Sequence, residues 1–154
     1  MPAPFVYCMK EFLDHLKDDH RQLLALSEEL ERTLAGTLTD AARLRLQQLC
    51  GQIITLLTSH GREEVETLFP ALKASLPITD RWQIAMLEIQ DEAILVEAQH
   101  LLDGCAGPAA MPVARCRESG ARLVRWMREH VLIEEERLFP RLDGRARGSA
   151  HENG

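Results

Sequence analysis

Residues 60–72 read HGREEVETLFPAL, and residues 130–142 read HVLIEEERLFPRL. The two stretches agree at seven of thirteen positions, among them a histidine and a glutamate four residues apart. On a helix this spacing places both side chains on one face, one turn apart, as in metal ligands that project into helical bundles. The repeat therefore predicts a duplicated helical fold in which each half brings part of a metal site to a common centre.

Breaker residues divide the rest of the chain into four helical segments. Apolar side chains recur at helical spacing between the breakers, and the sequence shows no strand pattern. We predict helices over residues 7–35, 39–68, 80–103 and 113–138. Gly36, Pro70 and the loop at 104–112 separate them, and short connections favour antiparallel neighbours. The sequence thus predicts an all-α, up-down-up-down four-helix bundle over residues 1–142, followed by a flexible tail at 143–154.

The composition excludes several kinds of partner. The chain has 154 residues, 27% of them charged, and a net charge of -6 at pH 7. Binding to phosphate backbones or anionic lipids needs a basic face, so we expect neither nucleic acid nor a membrane as a partner. Residues 1–10 lack the pattern of a signal peptide, and no apolar run approaches the roughly 20 residues of a membrane span. Four cysteines without a C-x-x-C pair suit a reducing compartment. We predict a cytoplasmic protein, either a monomer or a homodimer.

The first helix of each half also matches if the repeat reflects a duplication. Aligning residues 17–24 with 89–96 retains an aspartate and a leucine, and sets His20 opposite Glu92. Each half then offers one donor from its first helix and two from its second. The predicted metal ligands are His20, His60, Glu64, Glu92, His130 and Glu134. Glu88, one turn before Glu92, is an alternative that would supplement or replace it.

Six inward donors exceed the needs of one tetrahedral zinc ion and match a carboxylate-bridged pair of metals. Glu64 and Glu134 are the expected bridging ligands, because each lies one turn from a histidine. The four other donors would divide between the two ions, with an oxide or hydroxide as a further bridge. Mixed imidazole and carboxylate ligation suits iron, with manganese and zinc as alternatives.

These residues resemble those of hemerythrin-like (HHE cation-binding) domains over about residues 10–142. The resemblance rests on the Asp-His pair at 19–20, both His-x3-Glu motifs and both Leu-Phe-Pro endings. It implies a four-helix bundle with a non-heme, usually di-iron centre that binds dioxygen or nitric oxide or acts in iron and redox homeostasis. Similar domains occur in iron-sulfur cluster repair proteins and iron sensors.

The third helix departs from that family, since hemerythrins place histidines where this chain has Glu88 and Glu92. Anionic oxygen ligands favour the ferric state, which weakens the interpretation as a reversible oxygen carrier and favours redox chemistry. Our first hypothesis is therefore a di-iron protein that reacts with dioxygen, peroxide or nitric oxide, with peroxidase or oxidase activity as one form. The alternatives are a non-catalytic protein that binds oxygen, stores or senses iron, or repairs iron-sulfur clusters, and a metal-free interaction module.

The remaining polar and aromatic residues are expected to be structural. Leu68, Phe69, Leu138 and Phe139 should close the end of the core, and Trp82 and Trp126 are also assigned to the core. His15 is expected at the surface. Of the acidic run at 134–136, only Glu134 is expected to face inward.

Overall fold

The computed structural model describes residues 8–106 and 110–148, except for the side chains of residues 144–148. It is helical, with no strand in these ranges. The helices are α1 (Met9–Ala35), α2 (Asp40–Glu63), α3 (Phe69–Ser75), α4 (Trp82–Gly104), α5 (Val113–Ile133) and α6 (Phe139–Gly148). The four long helices α1, α2, α4 and α5 form the bundle, which confirms the predicted all-α architecture.

Each long helix packs against two others. α1 contacts α2 and α5, and α4 contacts the same two helices. The start of α2 is fixed by Thr39, whose side-chain oxygen accepts a hydrogen bond of 3.1 Å from the backbone N–H of Ala42. Such a cap satisfies one of the free N–H groups at a helix start. The contacts between neighbouring long helices arrange the four of them as a closed ring around one central axis.

A wider helical turn follows α2 and α5 at the same point of the repeat. Residues Glu64–Leu68 and Glu134–Leu138 are π-helical, and the next helix, α3 or α6, continues from each. In both segments the N–H of the following phenylalanine donates to the carbonyl of the glutamate five residues earlier. Proline lacks an N–H and its ring clashes with the carbonyl four residues before it, so a wider turn ahead of Pro70 and Pro140 accommodates the ring.

Two separate hydrophobic clusters fill the bundle. The larger contains buried side chains from residues 23–34, 46–57, 94–105 and 111–127. The smaller contains buried side chains from residues 12–16, 68–76, 84–87 and 138–142, including all four residues expected to close the core. On each long helix a polar side chain lies between the two clusters, namely His20 on α1, His60 on α2, Asp91 on α4 and His130 on α5. The fold therefore presents a layer of buried polar side chains between two apolar ones.

Three details differ from the sequence-based expectations. Pro70 does not end the helical rod, because the π-helical turn carries it on into α3. The expected boundary of the tail at residue 143 falls inside α6, while residues 149–154 lie outside the described ranges. Trp82 is 61% exposed, so its assignment to the core is wrong, whereas Trp126 is half-buried against the larger cluster.

No helix within the described ranges is both long and apolar enough to cross a membrane.

Candidate metal centre

Five of the predicted donors lie together in the polar layer. These residues, called the His/Glu centre below, are His20 on α1, His60 on α2, His130 on α5, and Glu64 and Glu134 at the starts of the two π-helical turns. Each of the five is at most 1% exposed. Buried charged groups are stable only when they are paired, hydrogen-bonded or bound to metal.

Short distances connect the three imidazoles and two carboxylates. His60 Nε2 lies 2.7 Å from Glu64 Oε1 and 3.3 Å from His20 Nε2. His130 Nε2 lies 3.3 Å from Glu64 Oε1 and also contacts Glu134 Oε1. Glu134 Oε2 lies 3.6 Å from His20 Nε2. The Nε2 atoms of all three histidines therefore face the same small volume as both carboxylates.

The opposite nitrogen of each imidazole contacts an oxygen outside the centre. His60 Nδ1 lies 3.1 Å from Asp19 Oδ2, and His20 Nδ1 lies 3.1 Å from Glu135 Oε1. His130 Nδ1 lies 3.2 Å from Gln90 Oε1 and 3.2 Å from Asp91 Oδ1. An Nδ1–H that donates outward leaves the Nε2 lone pair free for a cation, which is the usual arrangement around histidine ligands of metals.

Two overlapping groups of donor atoms are close enough to hold a cation. In one group, His20, His60, His130 and Glu134 each place a donor atom within 4.8 Å of the others. In the second group, Glu64, Asp91 and His130 do the same. The centre thus offers imidazole and carboxylate donors around two points that share one histidine.

Three buried oxygens of the centre lack a hydrogen bond. Oε2 of Glu64 and both carboxylate oxygens of Glu134 have no hydrogen-bond partner, although imidazole nitrogens lie nearby. Leaving such groups unsatisfied in a protein interior costs about 1–3 kcal/mol each, and more when they are charged. A cation between the carboxylates would remove this cost, so the residues fit a metal ion.

The pKa values of the ring nitrogens show how strongly the centre attracts positive charge. Burial by itself would lower the pKa of His60, but the nearby carboxylates of Asp19, Glu134 and Glu64 outweigh burial and raise that pKa to about 12. The pKa of His130 is likewise raised well above its usual value despite burial, chiefly by the charge of Glu134. Burial would raise the pKa of Glu134, yet the charge of His130 and the closeness of the other imidazoles hold that pKa well below its usual range.

Glu92 does not join the centre. Its side chain is exposed, and Asp91, the preceding residue, lies beside His130 instead. Consecutive residues on an α-helix point about 100° apart, so one position separates an inward from an outward side chain. Glu88 is exposed as well and lies 4.0 Å from Lys73. Glu92 and Glu88, the residues expected to supply a donor from the third predicted helix, therefore lie apart from the centre, and Asp91 is the acidic residue of α4 that lies beside it.

Sequence reasoning missed four residues around the centre, namely Asp19, Gln90, Asp91 and Glu135. The aspartates carried a signal, since the alignment that paired His20 with Glu92 also paired Asp19 with Asp91. In the structure each of the two aspartates contacts the Nδ1 of the histidine in its own half. Glu135 was assigned to a solvated face, yet its side chain is only half-exposed and reaches His20.

The comparison with protein families agrees with this geometry. The model of the hemerythrin HHE cation-binding domain matches residues 11–142, which cover most of the chain and all five residues of the His/Glu centre. The chain belongs to the hemerythrin-like, HHE cation-binding domain family. It matches no curated protein and no solved structure.

Proposed function

We propose that the chain is a non-heme, hemerythrin-like metalloprotein whose His/Glu centre holds two iron ions and binds or reduces a small molecule such as dioxygen, peroxide or nitric oxide. The observation that supports this most directly is the arrangement of the imidazoles, whose three Nε2 atoms converge on two buried carboxylates with unsatisfied oxygens. When bound, such a metal pair supplies one-electron and two-electron redox chemistry toward these molecules.

The donor atoms support two ions better than one. Two overlapping donor groups share His130, and Glu64 and Glu134 both lie beside Nε2 of this histidine. His20, His60 and Glu134 would hold one ion, and Glu64, Asp91 and His130 the other, with the two glutamates free to bridge. Mixed nitrogen and oxygen donors suit iron, and manganese and zinc remain alternatives. Asp91 adds a third carboxylate, which favours the ferric state and so favours redox chemistry over reversible oxygen carriage.

A small cavity supports access by a small molecule. It has a volume of about 130 Å³ and lies between α4 and α5, with Trp82, Met86, Leu87 and Ile133 in its largely apolar lining. Gln90 also lines this cavity, and its Oε1 atom contacts Nδ1 of His130. Gln90 therefore contacts both the cavity and a histidine of the centre.

Anaerobic loading followed by oxidation tests the proposal. Protein freed of metal with a chelator should take up two ferrous ions per chain. It should then develop near-ultraviolet charge-transfer bands on exposure to air or peroxide. Glu64→Gln and Glu134→Gln should lower both the iron content and the bands, whereas Glu136→Gln, at an exposed position of the same acidic run, should change neither. Uptake of no iron, or a spectrum unaffected by all three substitutions, would rule the proposal out.

Complete burial of the centre supports a second candidate, an iron sensor that acts through its stability. All five donors are at most 1% exposed, so a cation bound there contributes directly to the free energy of folding. Iron-dependent protease resistance with no turnover of peroxide or nitric oxide would select this candidate over the first.

A further inference from the structure

Three side chains beside the His/Glu centre form a second group of possible metal donors. His15 and Asp19 lie on α1, and Glu63 is the last residue of α2. Nε2 of His15 lies 2.7 Å from Glu63 Oε2 and 3.8 Å from Asp19 Oδ2, and one donor atom from each residue lies within 4.8 Å of the others. We call these residues the outer triad. One imidazole and two carboxylates are suitable donors for a divalent transition metal.

The outer triad connects solvent with the centre. The side chains of His15 and Glu63 are 48% and 33% exposed, that of Asp19 is 10% exposed, and that of His60 is 1% exposed. Oδ2 of Asp19 contacts both His15 and Nδ1 of His60, so it belongs to the triad and also supports the centre. Donor atoms therefore follow one another from the surface to the buried histidine.

A cation needs such donors on its way into the centre. Removing an ion from water without replacing its ligands costs several kcal/mol or more, and apolar clusters lie on both sides of the polar layer. Oε2 of Glu63 is shielded from solvent and accepts no hydrogen bond of good geometry, although His15 is close. This oxygen is thus available to an incoming ion.

The other half of the repeat has no equivalent of the outer triad. The alignment that pairs Asp19 with Asp91 also pairs His15 with Leu87, and the offset of the repeated motif pairs Glu63 with Ile133. Leu87 is buried and Ile133 is half-buried, and both line the apolar cavity. The duplicated centre therefore forms in the second half without counterparts of His15 and Glu63, so these two residues are an addition that the bundle itself does not require.

We propose that the outer triad is a loading site, which holds a partly hydrated divalent cation before it passes to the His/Glu centre. The inference rests on the proposed function, since it assumes that the centre receives cations. It adds that they enter between α1 and α2.

The rate of metal uptake tests the loading site. Chelated wild-type protein is mixed with Co²⁺, and its visible absorption is followed with time. In the double variant His15→Ala/Glu63→Gln, the rate of Co²⁺ uptake should fall by about tenfold or more, while the final absorption stays unchanged. Tenfold is the lower end of the range by which local charge changes association rates. His100→Ala removes a similarly exposed histidine next to Glu97, 3.9 Å away on α4, and should leave both quantities unchanged.

A second measurement separates this inference from the proposed function. The variant Glu64→Gln/Glu134→Gln disables the centre but retains the outer triad, which should still bind one Mn²⁺ ion. Loss of the electron paramagnetic resonance signal of free Mn²⁺ measures this binding. Adding His15→Ala/Glu63→Gln should abolish that binding. Unchanged uptake rates together with no binding to the outer triad would overturn the loading site and leave the centre intact. Binding to the outer triad in a protein whose centre takes up no metal would show that the triad is a separate metal site, and it would contradict both the loading role and the proposed function.

Discussion

The three buried histidines share one orientation, with Nε2 toward the carboxylates and Nδ1 toward an outer oxygen. These outer oxygens decide which nitrogen carries the proton, and they keep each ring in place without a cation. The oxygen partners of His130 come from Gln90 and Asp91, both on α4. At the scale of single residues, the centre therefore depends on side chains that the repeated motif does not contain.

The adjacent residues Asp91 and Glu92 on α4 provide a direct test of which acidic side chain supports metal binding. Asp91→Asn should reduce affinity for Co²⁺ or Zn²⁺ by about 10- to 100-fold, because Asp91 either ligates the ion or orients His130. Glu92→Gln is the matched control and should leave the affinity unchanged, since its side chain is exposed. Competition titration against a chromophoric chelator measures both. A loss of affinity only in the Glu92 variant would show that the sequence alignment had identified the correct donor.

The same pair of residues shows how far the sequence predicts the site. His60, Glu64, His130 and Glu134 could be placed because a repeated motif at helical spacing fixes their direction. Glu92 could not, because α4 has apolar residues on all sides, among them the exposed Met86 and Ile89. Without an amphipathic pattern, nothing in the sequence decides which of two adjacent acids faces inward.

Protonation of the centre makes the metal-free protein sensitive to pH. The raised pKa of His60, about 12, means that the folded state keeps a proton that an unfolded histidine releases above about pH 6.5. Burial also raises the pKa of Asp91, to about 9, so this carboxyl group keeps its proton in the folded state as well. Both effects contribute stability at low pH that is lost as pH rises.

We therefore expect the chelated protein to lose stability between pH 6.5 and 9, by roughly 1.4 kcal/mol per pH unit for each retained proton. Urea unfolding at several pH values in the presence of a chelator measures this slope. Excess Zn²⁺ should reverse its sign, because the ion replaces the protons and binds more tightly as pH rises. A stability that is independent of pH in the chelated protein would mean that the centre holds no extra protons.

At the scale of helices, the two π-helical turns explain how a proline can lie inside a continuous rod. The sequence indicated a stop at Pro70, since proline breaks the regular hydrogen-bond pattern. The helix continues because the wider turn avoids the clash and because Leu72 and Leu142, beyond the prolines, are buried in the smaller cluster. Whether a helix ends at a proline or continues through a wider turn depends on this packing, which involves contacts between residues distant in sequence.

α4 carries an exposed aromatic residue that fluorescence can detect. Trp82 is 61% exposed, whereas Trp126 is half-buried. The guanidinium carbon of Arg122 lies over the Trp126 ring, 5.9 Å from the centroid of that ring. Trp82→Phe should remove most of the emission that acrylamide quenches readily, and Trp126→Phe should leave that fraction in place. Stern-Volmer analysis of the two variants distinguishes them. If quenching in the native protein were confined to Trp126, α4 would have to be covered by another molecule.

For the whole molecule, family membership and bundle architecture followed from the repeat, because a duplicated motif constrains both halves at once. Metal content should then control global stability. Cation at 1,000 times its dissociation constant contributes about 4 kcal/mol, which corresponds to about 10 °C in Tm for a domain of this size. Differential scanning calorimetry with and without chelator measures the shift. Equal Tm values would mean that no cation binds the folded state preferentially.

The separation of the two hydrophobic clusters has a consequence for cooperativity. They share no side chain, and the buried histidines and glutamates of the centre lie between them. A bound cation would hold these polar side chains together, and without it the carboxylates would repel one another. With a cation present, the backbone amides at both ends of the bundle should exchange with deuterium as one unit. Without it, the end around Phe69 and Phe139 should open independently of the other, so that one polypeptide behaves as two loosely coupled blocks.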